Sequence, residues 1–215
     1  MRDKALREAA AAFSLTKEQL FAVRDGVTAA VEARLAGRPS SLSLYPSFLR
    51  RPAGVVPDGS YLALDFGGSN IRAARIELSG GHLRYGQTVK KPLVDPAGRY
   101  DYRHGVSTEE LFLFVAGVVS EAAGADGGRL GHTFSFPTRQ TGPNEATLLE
   151  WTKEMSVGGA CGRDVQELLR TALGFLGRSD IEPAVILNDT TATLLSGAYH
   201  DPGTVDGTIC GTGHN

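Results

Sequence analysis

A short glycine turn flanked by polar side chains lies in residues 64–72, which read LDFGGSNIR. Asp65 is the only charge in the otherwise apolar strand predicted over 61–66, and burying a carboxylate without a partner is costly. The N–H groups of Gly67 and Gly68 can approach a ligand closely because glycine has no Cβ, and they can form an anion-binding nest. A carboxylate beside such a nest can hold Mg²⁺, directly or through water, while the amides and Asn70 contact phosphate oxygens. The segment predicts a phosphate site, and the alternative is a plain hairpin turn.

Three rival nucleotide-binding motifs do not fit the sequence. Residues 65–67 match the DFG triplet of protein kinases, but neither an HRD motif nor a glycine-rich loop precedes them. The sequence contains no GxxxxGK[ST] phosphate loop, and no GxGxxG opens a helix. The protein-kinase, P-loop and dinucleotide-binding interpretations therefore fail.

A second polar pair, Asn188-Asp189, follows the apolar residues 184–187 and precedes a helical segment. Ligand sites of open α/β sheets lie at the carboxyl ends of strands, which is where this pattern places Asp189. Phosphoryl transfer to a hydroxyl group needs a carboxylate that accepts its proton and orients it toward the phosphate. Asp189 is therefore a candidate base, and the alternative is a helix N-cap, a routine place for Asp or Thr after a strand.

Two further segments carry side chains suited to a ligand rich in hydroxyl groups: residues 130–137 (LGHTFSFP) and residues 151–153 (WTK). A sugar hydroxyl both donates and accepts hydrogen bonds, and small hydroxyls, a Lys and an Asn can satisfy both needs. Taken singly, such loop residues are more often just solvated. Trp151 could pack in the core or hold the Thr-Lys loop in place, and packing is the favoured role.

The last segment, residues 207–215 (GTICGTGHN), predicts a strand over 207–210 that enters a second glycine turn. Its threonine hydroxyl and glycine amides are suited to a phosphate group. The alternative is again a hairpin turn.

Apolar periodicity and turn residues predict the elements that position these motifs. A capping box at Thr16–Gln19 opens a helix that Gly37 ends. Three strands joined by glycine turns then predict an antiparallel meander, after which helices and strands alternate. The strands are predicted over 61–66, 71–78, 82–89, 130–136, 184–187 and 207–210, and the later helices over 107–124, 164–173 and 190–199. The order β-β-β-α-β-α-β-α indicates an α/β sheet that begins with a meander.

Composition limits the partners and the compartment. The formal net charge of −2, without a basic cluster, provides no positive field for nucleic acid or an anionic membrane. Cys161 and Cys210 lie far apart and outside any metal-ligand spacing, which excludes a disulfide framework and favours a reducing compartment. The longest apolar stretch, 111–119, is too short to cross a bilayer. Residues 1–13 lack the features of a signal or transit peptide, so we expect a cytoplasmic protein.

The order and spacing of these motifs resemble those of the hexokinase family, from about the first helix to the last residue. LALDFGGSNIR resembles the family's first phosphate motif, and LGHTFSFP and WTK resemble its sugar-binding segments. LNDTTATLLSGAY resembles the stretch with the catalytic aspartate, GTICGTGHN the second phosphate motif, and LYPSF the segment before the first strand. The resemblance implies a kinase that transfers the ATP γ-phosphate to the 6-hydroxyl of a hexose, with glucose the first candidate, at the start of glycolysis.

Carried over by position, the resemblance implies a role for each site residue. Asp189 would be the catalytic base. The sugar ligands would be Ser135, Thr152, Lys153, Asn188, Asp189 and Asn215. The ATP phosphates and Mg²⁺ would lie among Asp65, Gly67, Gly68, Ser69, Asn70, Arg72, Thr212 and Gly213, with Asp65 holding the metal directly or through water. Ser69 stands where Thr is commoner in the family, and other residues are expected at His132, Thr138 and His214.

The resemblance also implies an actin-like, ribonuclease H-like α/β fold of two domains that close on the sugar. Residues 1–58 would form a helix and connecting segment that pack with the large domain, residues 59–187 the complete small domain, and residues 188–215 only the start of the large one. The strand at 207–210 would then begin a second sheet with an exposed edge, open to self-association or to a completing chain. We expect such a chain to be a poor kinase alone. The alternative is a catalytically incompetent fragment that binds sugar or phosphate in a sensing or assembly role.

Overall fold

The computed structural model describes residues 2–50 and 56–210 and divides into two compact units, Met1–Tyr45 and Pro46–Asn215. The first unit contains the helices α1 (Arg2–Ala12) and α2 (Lys17–Leu35). The predicted capping box opens α2, because Thr16 Oγ1 accepts a hydrogen bond from Gln19 N at 3.2 Å and Gln19 Oε1 accepts one from Thr16 N at 2.8 Å. Helix α1 was not predicted from the sequence, although its alanine, arginine, lysine and glutamate residues have high helix propensity.

The second unit contains nine strands and three helices within its described residues. In chain order they are β1 (Gly59–Phe66), β2 (Asn70–Ser79), β3 (His82–Pro92), β4 (His104–Ser107), α3 (Thr108–Ala123), β5 (Gly128–Phe134), β6 (Thr138–Gly142), β7 (Glu145–Leu148), β8 (Ser156–Gly158), α4 (Val165–Phe175), β9 (Ile181–Leu187) and α5 (Asp189–His200).

The main sheet has the strand order β3-β2-β1-β5-β9. The first three strands form an antiparallel meander, and β5 and β9 then add in parallel to β1. The predicted succession of a meander followed by alternating helices and strands is confirmed in this sheet. β5 ends at Phe134, two residues earlier than predicted.

Alternation along the strands explains which face of the sheet is buried. In β1, Leu62, Leu64 and Phe66 are buried while the residues between them are partly exposed, as expected for a strand with one face on the core. The helix α3 covers this face with an apolar stripe that includes Leu111 and Val115. The core formed between them supports the edge of the sheet where the glycine turn lies.

Two small two-stranded sheets were not predicted from the sequence. The strands β4 and β8 pair in parallel, and β6 and β7 form an antiparallel hairpin. These strands have three to five residues each and show too little alternation to stand out in the sequence. The β4–β8 pair matters for the site because it joins segments that lie about fifty positions apart.

The strand predicted over residues 207–210 is wrong. Residues 207–209 have no strand conformation, and Cys210 forms an isolated bridge. A Cβ on Gly207 would lie 2.7 Å from the backbone nitrogen of Leu194, so this segment lies against α5 instead of forming a sheet edge. The exposed edge from which self-association was predicted is therefore absent at residues 207–209.

The predicted division into residues 1–58, 59–187 and 188–215 stays a prediction. Across the described ranges 2–50 and 56–210, no helix combines the length and apolar character that a membrane span requires.

Candidate active site

The carboxyl ends of β1, β5 and β9 meet at one edge of the sheet because the three strands are parallel. Asp65 is level with Thr133 on β5, which in turn is level with Leu187 at the end of β9. Ser135 follows β5 at this edge, and α5 begins there with Asp189. The first phosphate turn, one predicted sugar ligand and the candidate base therefore share one edge of the sheet, where open α/β sheets bind ligands.

The glycine turn at the end of β1 is a tight connection to β2. Gly67 N donates a hydrogen bond to Asn70 O at 3.1 Å, which closes the turn. Asp65 is partly exposed and its Oδ2 accepts a hydrogen bond from Arg72 Nη1 at 2.8 Å. Asp65 thus has a partner, and the predicted cost of burying a lone carboxylate does not arise.

The predicted sugar-binding pair Thr152-Lys153 lies in a strained turn. Met155 N donates to Thr152 O at 3.1 Å, and the two central residues, Lys153 and Glu154, have φ of 56° and 64°. Such left-handed backbone costs on the order of 1–3 kcal/mol at each non-glycine residue and persists only where the surroundings enforce it. The turn is therefore held in place by neighbouring structure.

Trp151 supplies part of that support. Its ring packs against Phe66, Phe134 and Phe136, with centroid distances of 6.3, 6.1 and 4.8 Å. Its Nε1 donates to Val157 O at 2.8 Å, beyond the far end of the turn. Trp151 therefore packs against the core, in line with the favoured prediction of a packing role, and also bridges the two sides of the turn.

Lys153 connects the glycine turn to the candidate base. A Cβ on Gly68 would lie 2.7 Å from Lys153 Cβ, so the two backbones approach in a way that only glycine allows. Lys153 Nζ lies 3.4 Å from Asp189 Oδ2 and 5.8 Å from the centroid of the Phe136 ring. One side chain therefore contacts both chemical motifs.

The N-cap of α5 is the residue before the candidate base. Asn188 is the N-cap, and its Oδ1 accepts a hydrogen bond from Thr190 N at 3.1 Å. Asp189 Oδ1 also accepts from Thr190 N, at 2.9 Å, while Oδ2 faces Lys153. A carboxylate is stabilised at this end of a helix by the backbone dipoles. The N-cap alternative therefore applies to Asn188, which leaves one Asp189 oxygen directed toward Lys153.

A cavity of about 550 Å³ lies beside the glycine turn. Among the described residues, six of those lining it were predicted from the sequence and two were not: Gly67, Gly68, Ser69, Asn70, Arg72 and Lys153, then Arg103 and Glu154. Asp65 and Asp189 adjoin it through their ion pairs with Arg72 and Lys153. No local sequence signal marks Arg103, because the β4–β8 pairing brings it to the cavity.

The carboxylate at the end of β1 suits a Mg²⁺ ion shared with phosphate groups. Asp65 Oδ1 accepts no hydrogen bond from the described part of the chain, since Arg72 engages only Oδ2. Mg²⁺ commonly binds one or two carboxylates, with waters and substrate phosphates completing its ligands. Within residues 2–50 and 56–210 no three His, Cys, Asp or Glu side chains gather as a preformed metal cage. The donor set fits an ion that arrives with a nucleotide.

His132 is buried in the core behind this edge and does not line the cavity. Its Nδ1 lies 2.9 Å from Gln166 Oε1, and Gln166 Nε2 donates to Asn144 Oδ1 at 2.6 Å. Burial lowers the pKa of His132 to about 4, against a smaller opposing effect of the Gln166 hydrogen bond. The residue is therefore a neutral part of the core. The predicted ligands Thr212, Gly213 and Asn215 lie outside the described residues.

The sheet order, with an antiparallel meander followed by parallel strands, is that of part of an actin-like sugar kinase domain. The chain belongs to the hexokinase family, since the sequence model of that family, described as hexokinase, matches residues 5–199.

Individual relatives agree with this assignment. Hexokinase-1 of rice is 36% identical over 98% of this chain and 43% of its own length, and human hexokinase-1 is 33% identical over 98% of this chain and 23% of its own. Among solved structures, a Schistosoma mansoni hexokinase complexed with glucose is 35% identical with a TM-score of 0.70, over 82% of this chain and 39% of that one. The chain therefore spans less than half the length of these relatives.

Proposed function

We propose that this chain provides the sugar-facing loops and part of the phosphate cradle of an ATP-dependent hexokinase. Such an enzyme transfers the γ-phosphoryl group of ATP to the 6-hydroxyl of a hexose, with glucose as the first candidate, in cytoplasmic glycolysis. The observation that carries the proposal is Lys153, which contacts both the Gly68 turn and Asp189. Phosphoryl transfer needs these two motifs side by side, because its catalysis consists mainly of positioning and charge stabilisation.

Each predicted residue then has a chemical task. Asp189 would accept the proton of the attacking hydroxyl and orient that hydroxyl toward the phosphate. The remaining sugar ligands would be Ser135, Thr152, Lys153, Asn188 and Asn215. The phosphate oxygens would lie against the amides of Gly67 and Gly68 and the side chains of Ser69, Asn70, Arg72 and Thr212, with Gly213 in the second turn.

Asp65 would hold Mg²⁺, directly or through water, at the end of β1. When bound, the ion would neutralise charge on the β- and γ-phosphates. Arg72 would keep Asp65 in place through the ion pair at 2.8 Å.

The strained turn at Lys153 would position the lysine beside the candidate base for phosphoryl transfer. The left-handed backbone at Lys153 and Glu154 directs the lysine toward Asp189, and Trp151 fixes the turn on a rigid aromatic cluster. Observed strain that is fixed by its surroundings is a frequent feature of functional sites.

A second candidate function is a catalytically incompetent chain that binds sugar or phosphate in a sensing or assembly role. The matched residues account for 43% of the rice relative and 39% of the Schistosoma chain, so the activity of these residues alone is a separate question from family membership. We propose residues 59–187 as the small domain and residues 188–215 as the start of the large one, with residues 1–58 packing on the latter. Association with a second copy or a completing chain belongs to the same proposal.

Turnover and glucose binding test these candidates together. Purified chain would be supplied with ATP, Mg²⁺ and glucose, and ADP release would be coupled to a spectroscopic reaction. We expect poor turnover by the chain alone, and turnover within about 1–10³ s⁻¹ would show that these motifs suffice. Glucose binding by calorimetry would then separate a binding chain from one without any sugar site.

The role of the base has its own test in a polypeptide that also carries the remaining hexokinase segments. The substitution Asp189→Asn keeps the shape of the side chain and removes its basicity. We expect kcat to fall roughly 10²–10⁴-fold while glucose binding is largely retained. A variant with near-normal kcat would refute the role of Asp189 as base.

A further inference from the structure

Three cationic side chains among the described residues line the cavity beside the glycine turn: Arg72, Lys153 and Arg103. Arg72 and Lys153 pair with Asp65 and Asp189 and are part of the proposed function. Arg103 has no role in the predicted phosphate site. We propose that Arg103 is a further ligand for the oligophosphate of a nucleotide, and that Glu154 occupies Arg103 until phosphate displaces it. The inference rests on the proposed phosphate site and deepens it.

The position of Arg103 is fixed by its backbone. Arg103 N donates to Asp101 Oδ1 at 2.7 Å, and Arg103 O accepts from Ser156 N at 2.8 Å. Arg103 directly precedes β4, whose pairing with β8 ties it to the segment that follows the Lys153 turn. The side chain is held with only 25% of its surface exposed, and it lines the cavity together with the glycine turn.

The guanidinium group has unused donors. Its Nη1 donates to Glu154 Oε2 at 3.1 Å, and its Nε lies 3.7 Å from Asp101 Oδ1. Within the described ranges the buried Nε has no hydrogen-bond partner. An arginine offers five N–H donors in a planar fork that matches phosphate oxygens. The buried Nε is closed to a ligand, but four donors remain on Nη1 and Nη2, and Glu154 accepts from only one of these two atoms, Nη1.

The carboxylate of Glu154 is a weak occupant of this position. Its side chain is 80% exposed, and it is carried by a left-handed residue that lines the same cavity. Ion pairs with so exposed a partner contribute little, because water and salt compensate for their loss. An oligophosphate brings more charge and more acceptor oxygens, so it can replace the carboxylate at Arg103 with a net gain.

A purely structural role for Arg103 makes a different prediction. If Arg103 served only to anchor the strained turn through Glu154, removing either partner would loosen the turn and weaken binding. If Glu154 instead competes with phosphate, removing it strengthens binding while removing Arg103 weakens it. The two single variants thus separate the explanations by the sign of their effects.

The experiment measures binding of inorganic tripolyphosphate to the purified chain by calorimetry at low salt, without sugar. We expect Arg103→Met to weaken binding about tenfold and Glu154→Gln to strengthen it severalfold. In the double variant, the gain from Glu154→Gln should vanish, because its effect acts through Arg103. Arg129→Met is the matched control, since it removes a cation paired with Glu182 at the opposite ends of β5 and β9 and should leave binding unchanged.

Several results would overturn the proposal. These are weaker binding in both single variants, a gain that persists in the double variant, or wild-type chain that fails to bind tripolyphosphate. Arg103→Lys, which keeps the charge, should fall between wild type and Arg103→Met, and urea unfolding checks that each variant is folded. The kinase proposal fails separately, through absent glucose binding or through a near-normal kcat in the Asp189→Asn variant, and this titration uses neither measurement.

Discussion

Lowering the pH from 7 to 5 is expected to destabilise the second unit through one buried side chain, that of His132. The residue is 2% exposed, its ring stacks at 6.4 Å from Phe66, and it faces Gln166. Gln166 uses its amide nitrogen for Asn144, so its oxygen accepts a hydrogen bond from His132 Nδ1–H. Nε2 then carries a lone pair and has no partner among the described residues. The core thus requires the neutral ring.

The size of the stability loss follows from the pKa of His132. Burial lowers the pKa of His132 from 6.5 to about 4, so the unfolded chain takes up a proton at a higher pH than the folded one. The contribution of the neutral His132 ring to the free energy of unfolding is present above pH 6.5 and is lost as the pH falls toward 4. The whole difference corresponds to about 3 kcal/mol of the free energy of unfolding, of which about 2 kcal/mol is lost between pH 7 and 5.

Other groups contribute little in that window. Hydrogen bonds from the Arg99 side chain lower the pKa of Asp95 to about 2 from its ordinary 3.8, so its contribution is lost only in strong acid. The pKa of Glu109 is likewise lowered, first by its hydrogen bond from Arg163, and that contribution is lost below its ordinary value of 4.5. Neither carboxylate therefore masks the loss expected from His132 between pH 7 and 5.

Urea unfolding at pH 7, 6 and 5 measures the effect, with fluorescence of Trp151, the single tryptophan of the chain, as the probe. His132→Gln removes the titrating group and keeps a donor for Gln166, so its stability should change about 2 kcal/mol less across the interval. His104 is exposed, and His104→Gln serves as the matched control that keeps the wild-type pH dependence.

Equal wild-type stability at pH 7 and 5 would refute this role of His132, and so would a His132→Gln variant whose stability depends on pH as steeply as that of the wild type. A variant too unstable to measure leaves a direct test in the wild type. Nuclear magnetic resonance of the imidazole should show a neutral ring, protonated at Nδ1, down to pH 5. A His132 ring that titrates near 6.5 contradicts the argument.

Two further substitutions test the site and the fold. Gly68→Ala places a Cβ 2.7 Å from Lys153 Cβ, so it should displace the lysine and weaken tripolyphosphate binding about tenfold, whereas Gly117→Ala, with no atom within 4 Å, should leave binding unchanged. Arg75→Met removes the donors that satisfy three backbone carbonyls at and after the end of α3, and urea unfolding should show a loss of about 1–3 kcal/mol. Arg84→Met, which breaks only an exposed ion pair, should lose at most about 1 kcal/mol, and equal losses in the two arginine variants would contradict this.

Local signals in the sequence were sufficient for much of the main sheet. The predicted capping box at Thr16 is present, and a second one at Ser107 opens α3 at the start of the helix predicted over 107–124. The hydrogen bonds of a capping box join residues only three positions apart. The glycine turn after β1 and the alternation along that strand are likewise properties of neighbouring residues. The prediction failed where the pairing is distant, as in β4 with β8, or where packing overrides propensity, as at Gly207 against Leu194.

The sequence by itself identified the family and the motifs with chemical residues, since turn glycines and strand-end carboxylates are marked by residue type and spacing. Only the tertiary structure showed that Lys153 adopts a left-handed turn beside Gly68 and reaches Asp189, 36 positions away. It also brought Arg103 to Glu154 across 51 positions. Such contacts depend on how the strands pair and how the aromatic core fixes the turn, and no local pattern of residues encodes either of these.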